Sequence, residues 1–134
     1  MDTAQRIVIA GWPRTGKSTA ARQHFQGVPI RHLDALIERM SWSDVSEHAS
    51  HYFDEPGPWV IEGVAAVRAL RKWFTRNIGR AGVRPCDVIY MLRTPRLSLT
   101  REQWIMAKGI DTVWKAIAVD VRERRIPVFS RIER

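Results

Sequence analysis

The chain has 134 residues, of which 45% are hydrophobic and 27% charged, and it carries a net charge of +8. This length favours one domain over residues 1–134, and no run approaches the ~20 apolar residues that cross a bilayer. The sequence also lacks a basic leader followed by a long apolar stretch, and its one cysteine, Cys86, excludes a disulfide framework. We therefore expect a cytoplasmic protein that does not contact membranes.

Apolar runs typical of strands alternate with helical patterns in the first half of the chain. Residues 6–11 predict a buried strand, and residues 17–25 predict the helix that follows it. Residues 30–36 are a weaker strand candidate because charged side chains interrupt the apolar run. A second helix is predicted over residues 42–53, with Ser43 as its N-cap.

The second half of the chain continues the same alternation. Strands that alternate with helices predict an α/β fold in which helices cover both faces of a parallel sheet. The remaining predicted segments are a strand over 59–61, a helix over 65–78, a strand over 87–92, a long helical region from Pro95 that breaks or bends near Gly109, and a weak strand over 126–129.

Residues 11–18 read GWPRTGKS and fit the phosphate-loop pattern G-x-x-x-x-G-K-S/T between a predicted strand and a predicted helix. Backbone N–H groups of such a loop and the positive end of the helix bind phosphate oxygens. Lys17 would reach the β- and γ-phosphates of ATP, and the Ser18 hydroxyl would bind Mg²⁺. The predicted nucleotide-binding residues are Gly11, Trp12, Pro13, Arg14, Thr15, Gly16, Lys17 and Ser18, and Thr19 is the next hydroxyl along the helix.

The order of motifs resembles that of the small P-loop kinases, which include nucleoside, nucleotide and shikimate kinases. After the loop come HLD at 32–34, WVIEG at 59–63, CDVIYML at 86–92 and TPR at 94–96. The pattern is most similar to the adenylate-kinase-related proteins known as DNA topology modulation proteins. The resemblance covers most of the chain and implies a three-layer fold, a five-stranded parallel sheet in the order 2-3-1-4-5 and a mobile arginine-bearing lid.

The sequence departs from this family in several places. The chain is short, and the helix that usually follows the fifth strand is not expected. Glu62 stands where an aspartate is commoner, and Arg93 stands where relatives often have an aspartate.

Two acids lie at the carboxyl ends of predicted strands and therefore belong at the ligand-binding edge of the sheet. Asp34 at that edge would orient an acceptor hydroxyl and take its proton, although it could instead cap the next helix. Glu62 would contact the substrate or hold a water bound to Mg²⁺, or it is simply an exposed acid at the end of a strand.

Arginines are the expected partners of the transferred phosphoryl group, because negative charge spreads over its oxygens. Arg101 and Arg122 lie within residues 101–125, where a helical lid would lie, and they are predicted as catalytic, with Arg125 as a further nucleotide-binding candidate. Arg68 and Arg39 are candidates for binding the acceptor. Each arginine could equally lie on a solvated helix face.

Several other chemically distinctive side chains are expected to be structural. His48 and His51 lie three residues apart on one helix, which is too few ligands for a metal site, and we expect both to be exposed. Trp104 and Trp114 are predicted to lie in the core rather than to stack on a base, and Cys86 is predicted to be buried.

Two functional hypotheses follow. The first is an ATP- and Mg²⁺-dependent kinase that transfers a γ-phosphoryl group to a nucleoside, a nucleotide or another small hydroxyl acceptor held between residues 34–55 and Arg68. Arg39 is the only lysine or arginine in residues 34–62, which favours a neutral acceptor, whereas the net charge of +8 suits the 5′-hydroxyl end of a polynucleotide. The second hypothesis is a non-catalytic module that binds nucleotide or nucleic acid.

Overall fold

The computed structural model describes residues 5–132, so the first four residues, on which the expectation of no leader partly rests, lie outside it. It contains one five-stranded sheet in the order β2-β3-β1-β4-β5, and every neighbouring pair is parallel, which confirms the expected sheet. The strands are β1 Arg6–Gly11, β2 Ile30–His32, β3 Trp59–Glu62, β4 Val88–Leu92 and β5 Val128–Phe129, and the helices are α1 Lys17–His24, α2 Trp42–Ser50, α3 Ala66–Arg76 and α4 Arg101–Glu123.

Helices cover both faces of this sheet, and the side chains of β1 alternate between the two cores. Ile7 and Ile9 pack with Ala21 of α1 on one face. Val8 and Ala10 face the larger core that α2, α3 and α4 build on the other face. A strand buried on both faces has to be apolar at every position, which explains the continuous run in β1.

The carboxyl ends of the strands bring the candidate site together. Ile9 of β1 pairs with Glu62 at the end of β3, and His32 at the end of β2 pairs with the same glutamate. Gly11 pairs with Leu92 at the end of β4. Ligands of open α/β sheets bind beyond this edge, where the phosphate loop also begins.

Two predicted boundaries in the first half of the chain are wrong. β2 ends at His32, and the 3-10 turn Leu33–Leu36 replaces the rest of the predicted strand, because Leu33 turns inward and is fully buried. The N-cap of α2 is Ser41 rather than Ser43: the Ser41 hydroxyl accepts a hydrogen bond of 3.1 Å from the Asp44 amide.

The predicted start and bend of the long helix are also wrong. α4 begins at Arg101, where Thr100 and Gln103 form a reciprocal capping box. It is 23 residues long and runs without a break through Gly109 to Glu123. Its buried side chains recur along the whole length, so it is a core helix and not a separate lid; they are Ala107, Ile110, Val113, Ile117 and Val121.

The expectations for the cysteine and for two of the histidines are confirmed. Cys86 is fully buried, and His48 and His51 are exposed. Within residues 5–132, every helix is too short or too polar to cross a membrane.

Candidate functional site

The phosphate loop has the backbone geometry that its glycines make possible. Gly11 has a φ of 131°, and a Cβ there would overlap the Leu92 carbonyl oxygen, which accepts a 2.9 Å hydrogen bond from the Trp12 amide. Gly16 has a φ of 82° and stands at the N-terminus of α1. The loop therefore directs the N-terminus of α1 at the edge of the sheet, where anions bind favourably.

Lys17 lies inside this loop rather than in solvent. Its side chain is 5% exposed, and its ammonium donates to the Trp12 carbonyl and, over 3.2 Å, to the Thr15 hydroxyl. Burial lowers the pKa of Lys17, and the nearby carboxylates of Asp34 and Glu62 oppose this shift. The loop thus holds an ammonium group beside two carboxylates.

A chain of polar groups connects Ser18 with β2 and β3. The Ser18 hydroxyl accepts a 2.7 Å hydrogen bond from Arg22 and lies 3.4 Å from Nδ1 of His32. The same Nδ1 is 2.5 Å from Oε2 of Glu62, whose side chain is 2% exposed. Burial raises the pKa of Glu62, and the hydrogen bond with His32 opposes this rise. Glu62 is therefore a buried carboxyl and not an exposed acid at the end of a strand.

His32 was not among the predicted site residues, although the sequence contained a signal for it. It ends an edge strand in the HLD motif at 32–34, and parallel pairing places that position beside the end of β3.

Asp34 lies in the 3-10 turn after β2 and lines a cavity of about 320 Å³ together with Lys17. Its Oδ1 accepts a 3.1 Å hydrogen bond from the Val64 amide, and Gly63, with a φ of 144°, makes room for it: a Cβ there would lie 2.9 Å from Oδ1. The carboxylate is thus fixed by the loop after β3. It does not act as the helix cap that the sequence left open.

Arg96 is the arginine that lies against the phosphate loop. Its amide donates a 2.7 Å hydrogen bond to the Arg14 carbonyl, and its guanidinium covers Gly16, where a Cβ would come within 2.7 Å of Cζ. Arg14 in turn donates to the Ser98 carbonyl over 3.2 Å. Arg96 was not among the predicted site residues, because nothing local in the sequence indicates that residues 93–100 fold back onto the loop.

The three selected late arginines do not lie together. Arg101 begins α4, and Met106, less than two turns further on, lines the Asp34 cavity. Arg122 is near the other end of the helix, about 30 Å away at 1.5 Å per residue. The carbonyl of Arg125 accepts a hydrogen bond from Arg84, which also binds the Asp87 carbonyl just before β4 begins.

Arg122 and Arg125 therefore lie at the amino-terminal edge of the sheet. The phosphate loop lies at the carboxyl-terminal edge, so the structure does not bring together with it either Arg122, which was predicted as catalytic, or Arg125, which was predicted to bind the nucleotide.

The remaining predicted residues have mixed positions. Arg39 is exposed and does not line the Asp34 cavity, whereas its neighbour Glu38 does. Arg68 is half-buried and lines a second cavity between α2 and α3. Thr19 is half-buried in α1, one residue beyond Ser18.

The Trp12 side chain attaches the loop to α4. Its indole N–H donates a 3.0 Å hydrogen bond to Asp111, which also accepts one of 3.0 Å from Arg93. The rings of Trp12 and Trp104 meet edge to face with centroids 5.4 Å apart. Trp104 is 47% exposed, so the prediction that it belongs to the core was wrong: it packs on the phosphate loop instead.

The sheet order and the loop at the end of its central strand define the architecture. The protein has a three-layer P-loop kinase fold. No protein-family model and no curated protein matches the sequence. Among solved structures, the chain is similar to shikimate kinase from Bacteroides thetaiotaomicron, with a TM-score of 0.47 and 12% identity over 96% of this chain and 86% of that one.

Proposed function

We propose that the protein is an ATP-dependent phosphotransferase that moves the γ-phosphoryl group of Mg-ATP onto a hydroxyl acceptor. One observation carries this proposal: Lys17 of a complete phosphate loop and the fixed carboxylate of Asp34 line the same cavity. A triphosphate needs the first group, and an acceptor hydroxyl needs the second.

The nucleotide end of the site is built from residues 11–18 and α1. The loop amides and the N-terminus of α1 bind phosphate oxygens, and Lys17 neutralises charge on the β- and γ-phosphates. The hydroxyl of Ser18 and the carboxyl of Glu62 are hard oxygen ligands of the kind Mg²⁺ takes, so they fit the ion, Ser18 directly and Glu62 through a water. Bound Mg²⁺ would neutralise phosphate charge.

The acceptor end is the cavity beside Asp34. The acceptor oxygen forms a bond to the γ-phosphorus while the bond from that phosphorus to the β–γ bridging oxygen breaks, and ADP leaves. The hydroxyl proton passes to the Asp34 carboxylate, which the Val64 amide holds in place. Arg96, lying on Gly16, is placed to neutralise charge on the phosphoryl oxygens, and Arg101 is a second candidate because α4 begins beside the cavity.

The proposal is tested by incubating the protein with ATP labelled in the γ-phosphate and a panel of acceptors. The panel contains nucleosides, nucleoside monophosphates and 5′-hydroxyl oligonucleotides. We expect a labelled product with wild type and its loss in Asp34→Asn, with Lys115→Gln, an exposed change on α4, as the control. Tight ATP binding without any labelled product would instead support a non-catalytic nucleotide-binding module.

A further inference from the structure

A second cavity of about 470 Å³ lies between α2 and α3, beside the acceptor cavity. Trp42, the first residue of α2, lines both cavities, so a molecule whose end lies at Asp34 can continue past Trp42 into the second one. We call this second cavity, lined by residues of α2, α3 and α4, the α3 groove.

The α3 groove is strongly basic. Four basic side chains of α3 line it, and among the described residues Glu47 is the one carboxylate that does so. Glu47 lies 3.9 Å from Lys72 and 3.7 Å from Arg76, so it offsets only part of the positive charge. The shortage of basic residues in 34–62 favoured a neutral acceptor, but packing places the basic side chains of α3 beside the acceptor cavity. The four basic residues are Arg68, Arg71, Lys72 and Arg76.

Gly109 of α4 lies beside the guanidinium of Arg68, one of the basic residues of the groove. A glycine inside a helix costs about 1 kcal/mol relative to alanine. Here a Cβ would lie 3.1 Å from Nη2 of Arg68, so the glycine leaves room for the guanidinium between α3 and α4. The fold thus accommodates the arginine that lies nearest the start of α3.

The row of basic side chains on α3 is longer than a single phosphate group. Arg68 and Arg76 are eight residues apart on one helix, which is about 12 Å at 1.5 Å per residue. A single phosphate can contact only one end of this row of basic side chains. A nucleic-acid backbone carries several phosphates and can contact the whole row. Trp42 lines both cavities, and bases stack on aromatic side chains without regard to sequence.

We infer that the acceptor is the 5′-hydroxyl end of a single nucleic-acid strand. The terminal hydroxyl lies at Asp34, the first base lies against Trp42, and the following phosphates lie along the α3 groove. This inference rests on the proposed function for the reaction at the hydroxyl, but the binding of the strand is a separate property of the groove.

Binding is measured by fluorescence anisotropy with a labelled 5′-hydroxyl single-stranded oligonucleotide over a series of salt concentrations. The test variant carries Arg71→Gln and Lys72→Gln. The control carries Lys108→Gln and Lys115→Gln, which remove the same charge from exposed positions of α4. Because the test variant neutralises two fewer phosphates, we expect its slope of log affinity against log salt to become shallower by about 1.4, and its affinity to fall at least tenfold.

Equal affinity and equal slope in the test and control variants would overturn the inference. So would a nucleoside 3′-monophosphate that competes as well as the oligonucleotide, because one phosphate would then suffice. The single variants Arg71→Gln and Lys72→Gln are measured in the same way if the double variant does not fold.

The labelled-ATP assay distinguishes this inference from the proposed function. If the protein phosphorylates nucleosides and oligonucleotides equally well and the groove variant does not change the rate, the kinase proposal stands. The inference that the acceptor is a nucleic-acid strand is then refuted. Groove-dependent strand binding without transfer to any acceptor contradicts the kinase proposal and leaves the groove as a nucleic-acid site.

Discussion

Replacing Asp34 with asparagine separates the charge of this side chain from its hydrogen bond. Oδ1 accepts a 3.1 Å bond from the amide of buried Val64, and an asparagine oxygen can occupy the same place. Hydrogen bonds to charged groups contribute about 1.5–3 kcal/mol and neutral ones about 0.5–1.5 kcal/mol, so the free energy of unfolding should fall by about 1 kcal/mol. Mg-ATP should bind at least as tightly, because a negative charge near the triphosphate is gone.

Phosphoryl transfer should respond very differently to Asp34→Asn. Losing a positioned base costs about 10²-fold or more in rate, which corresponds to at least ~2.7 kcal/mol of transition-state stabilisation. Urea unfolding, calorimetry with Mg-ATP and single-turnover transfer measure the three effects on one protein. Asp34→Ala is the matched control for the hydrogen bond, because it also leaves the Val64 amide without this acceptor and should lose a further ~1–3 kcal/mol of stability. A folded Asp34→Asn protein with the wild-type transfer rate would refute the assignment.

Three further predictions concern Arg96, Glu62 and Cys86. Arg96→Ala should slow single-turnover transfer by about 10²-fold with a smaller change in ATP affinity, because the Arg96 guanidinium neutralises charge that develops in the transition state. An unchanged rate would exclude this role for Arg96. Burial raises the pKa of Glu62, so the folded protein keeps a proton that the unfolded chain releases, and stability declines as pH rises from the ordinary carboxyl pKa through the raised one. Glu62→Gln should flatten that decline in urea titrations at several pH values, and an unaltered slope would contradict the shift. Burial raises the pKa of Cys86 to about 12, so iodoacetamide should label it at neutral pH only in denaturant; rapid labelling of the native protein would show that the thiol is accessible.

The phosphate loop could be predicted from the sequence because its determinants are contiguous. Residues 6–24 contain a buried strand, two glycines at positive φ and the first turn of α1. These features do not depend on how the rest of the chain packs. Asp34 and Glu62 could be placed at one edge because parallel strands end there, and the order of the strands came from the resemblance to P-loop kinases.

The contacts between distant parts of the chain could not be predicted in this way. The pairs His32–Glu62 and Arg96–Gly16 join residues far apart in sequence, and only the register of the strands and the path of residues 93–100 bring them together.

The error over α4 has a different cause. A single glycine lowers helix propensity, but the buried apolar side chains on both sides of Gly109 outweigh that cost, so the helix continues straight through it. The continuous helix carries Arg122 away from the loop, whereas a break at Gly109 would have permitted a lid.

The most direct test of the account is calorimetry of Mg-ATP binding to wild type, Lys17→Ala and the exposed control Lys115→Ala. Lys17 is buried, with a pKa lowered by desolvation, so its removal should leave the unliganded protein folded. We predict that Lys17→Ala weakens ATP binding by about 10- to 10²-fold, the loss expected for a charge-assisted hydrogen bond of ~1.5–3 kcal/mol, while the control binds like wild type. Unchanged affinity in a folded Lys17→Ala protein would show that residues 11–18 do not hold the triphosphate.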